Sequence, residues 1–413
     1  MKQKHRFLMG LLAAPLAVVA AGMMGGDAFA ATKTWIAPSD VNLNFSHGAN
    51  WSPAGAPSNG DDLVFDANQG FAEGATNDMV NLEVNSITFI AKSVTSGFWC
   101  TPIKAVEQLK ISGPINGDAR CMGRVMNGSY ILGADVVAKN VVFSGYTGTG
   151  GSIDLNGNKI SFVTESGFDG FFGTIAYEGV AAHSTISGNG TVEFNGAYGS
   201  PHLDGNNTYS GTTNLIATGS RVKGVIGNFV DMFGTSVVNI SGATAAASFV
   251  FVSSPSGLSV GNTINITGGQ ADDLWGALQF YCTDAFCSGT LNVPNIRLLG
   301  NTSFEQWGYK DRGFVVNLAG IVANGRCVEY WVDAIASHFP NFATVSGGFL
   351  NGPVACSVSG GTGPGPSVPD TGMVTNEGGF VEWVVFGVAS SALLGVGAVA
   401  VTLKPWVIRK IKI

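Results

Sequence analysis

Between about residues 31 and 358, apolar side chains recur at every second position in short runs. The clearest are residues 62–65, 86–90, 108–111, 141–143, 159–163, 191–194, 236–240, 263–267, 290–293 and 295–299. A period of two places the apolar side chains of a run on one face of a β-strand. Clusters of Gly and Asn separate the runs, and these are turn residues. No segment shows the 3.6-residue period of an amphipathic helix, so the pattern predicts an all-β region. Successive runs often lie roughly 20 to 30 residues apart, the length of one solenoid coil holding two or three short strands. Such a coil cannot bury its apolar face alone, so the coils must stack. A pair of β-sandwiches is the alternative, since frequent turns suit that fold too.

Two longer apolar runs break this rhythm. The first follows Lys2, Lys4, His5 and Arg6 and extends from Phe7 to about Gly22. Ala28-Phe29-Ala30 and then Ala31 come after it. A basic start, an apolar centre and an A-x-A site are the order of a secretory signal peptide, with cleavage expected between Ala30 and Ala31. An uncut N-terminal membrane helix is the alternative. The second run, from Trp383 to Leu403, carries no charged residue. At about 1.5 Å per residue it spans roughly 30 Å, the thickness of a bilayer core. Trp383 and Trp406 flank it, and Lys404, Arg409, Lys410 and Lys412 follow, so the tail is expected on the cytoplasmic side.

The expected organisation is a signal peptide at 1–30, an extracellular β-region at 31–358 and a linker at 359–380. A transmembrane helix at 381–403 and a basic cytoplasmic tail at 404–413 complete it. The linker is rich in Gly, Pro and Ser through residues 359–367 and reads as a tether.

Composition sharpens this picture. Charged residues are 12% of the chain, about half the usual share of roughly 25%, and Gly contributes 59 of 413 residues, about twice the usual share. The net charge is −7, and no basic patch crosses the central region to neutralise phosphates, so nucleic acid is not an expected partner. The six cysteines, Cys100, Cys121, Cys282, Cys287, Cys327 and Cys356, are an even count in a chain expected to be exported, which fits disulfides. Neighbour pairing closes the shortest loops. Other pairings, or buried free thiols, remain open.

Candidate chemistry is sparse. The histidines form no H-E-x-x-H pattern, and Cys282 and Cys287 have no second pair nearby, so no metal site is expected. Gly257-Leu258-Ser259-Val260-Gly261 matches G-x-S-x-G in letters, but a strand-like run follows it rather than the helix a nucleophile elbow needs. Ser259 therefore reads as a turn residue. Asp61-Asp62 and Asp272-Asp273 are acidic pairs of the kind sugar-cleaving sites use. With no basic residues beside them they read as turn caps; calcium at Asp61, Asp62 and Asp66 lacks any loop motif to support it. Aromatic residues thicken at Trp275, Tyr281, Trp307, Tyr309, Tyr330 and Trp331, as either a binding platform or core packing. No catalytic residue and no cofactor are expected.

Val368-Pro369-Asp370-Thr371-Gly372, with the apolar span and basic tail after it, resembles the cell-wall sorting signal of Gram-positive-type surface proteins. That family carries Leu at the place of Val368. The resemblance implies a sortase that cuts between Thr371 and Gly372 and joins Thr371 to the cell wall. A permanent single-span anchor is the alternative. Gly205-Asn206-Asn207-Thr208-Tyr209-Ser210-Gly211-Thr212-Thr213 resembles the β-strand repeat of autotransporter passenger domains. Ile186-Ser187-Gly188-Asn189-Gly190-Thr191-Val192 and Ile153-Asp154-Leu155-Asn156-Gly157-Asn158 are similar to their flanking coils. The opening segment, with Trp35, Asn50-Trp51-Ser52, Pro57, Gly60-Asp61-Asp62 and Val64-Phe65, resembles their N-terminal cap. This implies a right-handed parallel β-helix. Those proteins end in a membrane β-barrel, for which the residues from 381 onward are too few. The passenger-like region is thus expected on a different anchor, with an adhesive or structural role. A surface carbohydrate-active enzyme and a surface-layer subunit are the rival readings.

Overall fold

In the computed structural model the described residues are 30–37, 42–69, 74–94, 97–118, 126–141, 143, 151–164, 185–199, 203, 207–222, 225–227, 231–242, 247–251, 258–267, 277–282, 289–308, 314–318, 320–324, 326–332, 345–346 and 349–351. They form a parallel β-solenoid. Its backbone is one long ladder in which each strand pairs in parallel with the corresponding strand of the next coil. The ladder starts with Thr32–Trp35, Asp61–Asp66, Glu83–Ile90, Ile115–Gly117, Val136–Lys139 and Lys159–Thr164. It continues through Asn189–Gly199, Ser210–Val222, Val237–Ser241, Ile264–Ile266, Ile296–Leu298, Ile321–Val322 and Val345–Ser346.

The coil length follows from the register. Phe162 stands opposite Phe194, and Phe194 opposite Leu215. These steps of 32 and 21 positions are the extremes along this long ladder, close to the spacing of the apolar runs. The parallel pairing excludes the sandwich, whose sheets are antiparallel.

Other faces of the coil carry further ladders. In the N-terminal half, Ala75–Asn77, Ile103–Ile111, Met126–Leu132, Ser152–Asp154 and Thr185–Ser187 pair in turn. In the C-terminal half, Val225–Gly227, Ala247–Phe251, Leu278–Cys282, Thr302–Gly308, Cys327–Val332 and Phe349–Asn351 form a second ladder. Leu258–Ser259, Gly289–Asn292 and Phe314–Asn317 form a third.

The alternation explains why these segments stack. In the long ladder Ile160, Val192, Thr213, Val238, Ile264, Ile296 and Ile321 align in one inward column. All are buried. Each aliphatic member contributes about 1.5–3 kcal/mol of burial, available only when the next coil is in place. The corners are shaped by asparagine. Asn140, Asn156 and Asn324 sit at φ of 51°, 48° and 50°. Asparagine tolerates that left-handed conformation better than most residues. It also does what glycine cannot. The side-chain amides donate to Gly117 O, Leu132 O and Leu298 O of the neighbouring coil at 3.3, 3.0 and 2.9 Å.

The first coil is closed by an aromatic cap. Trp51–Ser52 pairs antiparallel with Thr34–Trp35 and covers the free edge of the ladder, which blunts a template for edge-to-edge pairing. Trp35 and Trp51 meet edge to face at 5.0 Å, Phe45 and Trp51 at 5.2 Å, and Phe65 stacks on Phe89 at 5.5 Å. All five rings are essentially buried.

Two local expectations change. In the run 141–143 the two described residues lie outside the named strands: Val141 is buried and Phe143 makes one isolated bridge to Met126. These apolar residues fill a corner, where burial does not require a ladder. Ser259 lies in a strand, opposite Asn292, rather than in a turn.

Candidate functional site

The long ladder has a second column as regular as its inward one; Glu193, Asn214, Asn239 and Asn265 are half-buried and Val137, Arg297 and Val322 exposed, while Ser161 is buried. Val137, Ser161, Glu193, Asn214, Asn239, Asn265, Arg297, Val322 and Ser346 stand opposite one another in turn. Neighbouring strands lie roughly 4.8 Å apart, a distance one asparagine amide can bridge. Asn239 Nδ2 donates to Asn214 Oδ1 at 3.0 Å, and Asn265 Nδ2 donates to Asn239 Oδ1 at 2.9 Å. Ser161 Oγ donates to Glu193 Oε1 at 2.9 Å. The result is an asparagine ladder between an acidic and a basic residue. A second, shorter ladder joins Asn317 Nδ2 to Asn292 Oδ1 at 2.9 Å. These repeated amides form a flat, half-exposed surface with regularly spaced donors and acceptors.

The interior polar groups are structural. Asn207 is buried and accepts from Ile186 N at 2.8 Å, while its amide donates to Met232 O at 2.8 Å. One side chain thus ties together three consecutive coils. Tyr209 is buried beside it, and its hydroxyl meets Thr213 Oγ1 at 2.6 Å. Thr213 Oγ1 meets Ser236 Oγ at 2.6 Å, and Ser236 Oγ donates to Phe233 O at 2.8 Å. Burial pushes the Tyr209 phenol well above its ordinary range, as it does for Tyr130, so neither is poised to act as a base.

The predicted acidic residues Asp61, Asp62 and Asp66 are occupied by donors of their own and neighbouring coils. Asp61 is buried; Oδ1 accepts from Ala31 N at 2.9 Å and Oδ2 from Ser58 N at 2.8 Å. Asp62 accepts from Asn85 Nδ2 and Ser86 Oγ. Asp66 accepts from Asn68 N, Asn68 Nδ2 and Gln69 Nε2. All three act as turn and coil caps. Among the described residues no three His, Cys, Asp or Glu side chains converge on one point. The hydrogen bonds of Ser112 and Lys110 hold the Glu83 carboxyl below the usual carboxylate range.

Of the predicted processing residues, Ala30 is exposed and Ala31 half-buried at the start of the ladder, while Ala28 lies outside the described residues. So do Val368, Pro369, Asp370, Thr371, Gly372 and the expected span 381–403. No helix among the described residues is long and apolar enough to cross a membrane. Cys100 is disulfide-bonded; Cys121, Cys287 and Cys356 lie outside the described residues, and Cys282 and Cys327 sit in strands. In the aromatic region the backbone register sets Tyr281 opposite Trp307, Phe304 opposite Tyr330 and Glu305 opposite Trp331. Trp275, Tyr309, Asp272 and Asp273 lie outside the described residues.

No family model matches the chain, and no curated protein or solved structure matches it.

Proposed function

We propose that this chain is an exported, envelope-attached β-solenoid with an adhesive or structural role and no catalytic activity of its own. The observation that carries the reading is the outward asparagine ladder at Asn214, Asn239 and Asn265. It is a repetitive surface of paired amides, suited to extended contact with a polymer or another protein. Of the carboxylates that a sugar-cleaving site would need, Asp61 and Asp62 are committed to backbone and side-chain donors of their own and neighbouring coils.

In this reading the signal peptide is cut between Ala30 and Ala31, and the coils wind right-handed, as parallel β-crossovers do. Residues 381–403 span the membrane. A sortase acts on Val368, Pro369, Asp370, Thr371 and Gly372 and transfers the chain to the cell wall. Cys100 pairs with Cys121, its neighbour in sequence.

The test is exposure on intact cells. A membrane-impermeant amine reagent is applied to whole and to lysed cells, and lysines of residues 31–358 are read by mass spectrometry. Equal labelling in both samples is expected. Labelling only after lysis contradicts display.

A further inference from the structure

Asp61 presents an arrangement that an uninterrupted chain does not require. The residue is 5% exposed, and its two carboxylate oxygens accept from the backbone nitrogens of Ala31 and Ser58. Among the described residues no basic side chain pairs with it. Lys33, two positions beyond Ala31, gives its Nζ to Pro53 O and Gly55 O. The buried negative charge is therefore balanced by neutral donors alone. Burial of a carboxylate is costly unless it is paired, and a charged donor makes a stronger bond than a neutral one.

The nitrogen that touches Asp61 is also the nitrogen that a cut after Ala30 would set free. Ala31 is fixed on its other side, where its carbonyl oxygen accepts from Asp62 N at 2.9 Å. Thr32 then enters the ladder opposite Asp62. Ala30, just upstream, is exposed.

We propose that Asp61 is a built receptor for a free amino terminus at Ala31, so that removal of the leader tightens the first coil. This rests on the processing step proposed above. A peptidase adds water across the Ala30–Ala31 bond. Ala30 leaves as a carboxylate, and the Ala31 nitrogen takes up a proton to become an ammonium. One hydrogen of that ammonium replaces the amide hydrogen already aimed at Asp61 Oδ1. A neutral hydrogen bond becomes an ion pair at a carboxylate the fold has already desolvated. The charge gained by cutting is used at the edge strand Thr32–Trp35, which has no preceding coil among the described residues.

The experiment compares residues 31–413, released scarlessly from an N-terminal fusion, with the same chain left joined to its fusion partner. Each is made with Asp61 and with Asp61→Asn. Hydrogen exchange is read on peptides covering residues 31–35 and 61–66. The released chain is expected to exchange about tenfold more slowly there than the fused chain. Asp61→Asn should erase that difference while changing the fused chain much less. Equal exchange in released and fused chains overturns the proposal, as does an equal Asp61→Asn effect in both. Should Asp61→Asn fail to fold, the acetylation rate of the Ala31 amine in the unsubstituted chain decides. It should be about tenfold slower than in an unfolded peptide of the same sequence; an equal rate overturns the pairing. The N-terminal mass of the exported chain is read separately. A start other than Ala31 removes the processing step itself. A start at Ala31 with no Asp61 effect removes only the receptor.

Discussion

Residues 31–90 and residues 186–266 both stack parallel strands, yet different side chains join one strand to the next. At the N-terminal end the contacts are rings: Trp35, Phe45, Trp51, Phe65 and Phe89. In the centre they are amides and hydroxyls: Asn207, the outward ladder at Asn214, Asn239 and Asn265, and the chain of hydroxyls from Tyr209 to Ser236. The difference follows from position in the stack. An amide has a donor at one edge and an acceptor at the other, and a coil with neighbours above and below satisfies both. A terminal coil has a neighbour on one side only, so a buried amide there must find its partners inside the coil, as Asn50 Nδ2 does at Asn42 O and Asn44 O. Phenylalanine rings carry no such requirement, and each tryptophan carries only one donor: Trp51 Nε1 gives its hydrogen to Phe45 O at 2.9 Å, while Trp35 Nε1 is buried without a partner.

The comparison can be broken from its strong side first. Phe65→Ala removes the ring that joins the cap to the second coil, and should cost about 3–5 kcal/mol. The midpoint of a denaturant titration measures it. The next effect belongs to the centre. Asn207→Ala orphans Ile186 N and Met232 O, at about 1–3 kcal/mol for each buried group left unpaired. Asn207→Asp keeps the acceptor but sets a buried carboxylate against Met232 O, so near neutral pH it should cost at least as much as alanine. A loss in Asn207→Ala no larger than a surface substitution would contradict the bridging role.

Smaller effects sharpen the contrast. Tyr209→Phe removes one bond of a buried chain in which Thr213 still holds Ser236, and should cost about 1 kcal/mol by the same titration. Asn239→Ala cuts both outward ladder bonds, but its groups are half-exposed and water replaces them. It should cost less than about 1 kcal/mol. Glu83→Gln is expected to do least, under about 1 kcal/mol, because its pair with Lys110 is solvent-exposed. Its sign is readable in acid. The folded-state pKa of Glu83 is lowered, so its contribution is complete above the ordinary value of about 4.3 and is lost as pH falls through the folded value. The difference between wild type and Glu83→Gln should therefore shrink as the solution is acidified below that range.

Much of the architecture was legible from alternation. Residues 159–163, 191–194, 236–240 and 263–267 read as strands, and all four fall in the long ladder. Trp35 and Trp51 pointed to a cap, and the cap contains both. Strand ends were less legible. Asn189–Gly199 and Ser210–Val222 run well beyond their alternating cores because ladder bonds to adjacent coils hold Gly, Asn and Ala that lack strand propensity. Val141 and Phe143 misled for the opposite reason: both are buried without belonging to a named strand. The outward ladder was hidden altogether. Asn214, Asn239 and Asn265 recur at 25 and 26 positions, a signal visible only once the register is known. In a chain so rich in turn asparagines, three more carry no distinguishing mark. The role of Asp61 was hidden likewise, since its partner is a backbone nitrogen 30 positions away.

The central claim is that a solenoid built this way is held at the cell envelope by its C-terminus. The most direct measurement is the mass of the C-terminal peptide from purified cell walls digested with a muralytic enzyme. The account predicts a peptide that ends at Thr371 and carries a wall fragment. An intact peptide running through Ile413, found only in the membrane fraction, would contradict wall attachment and leave a single-span membrane protein.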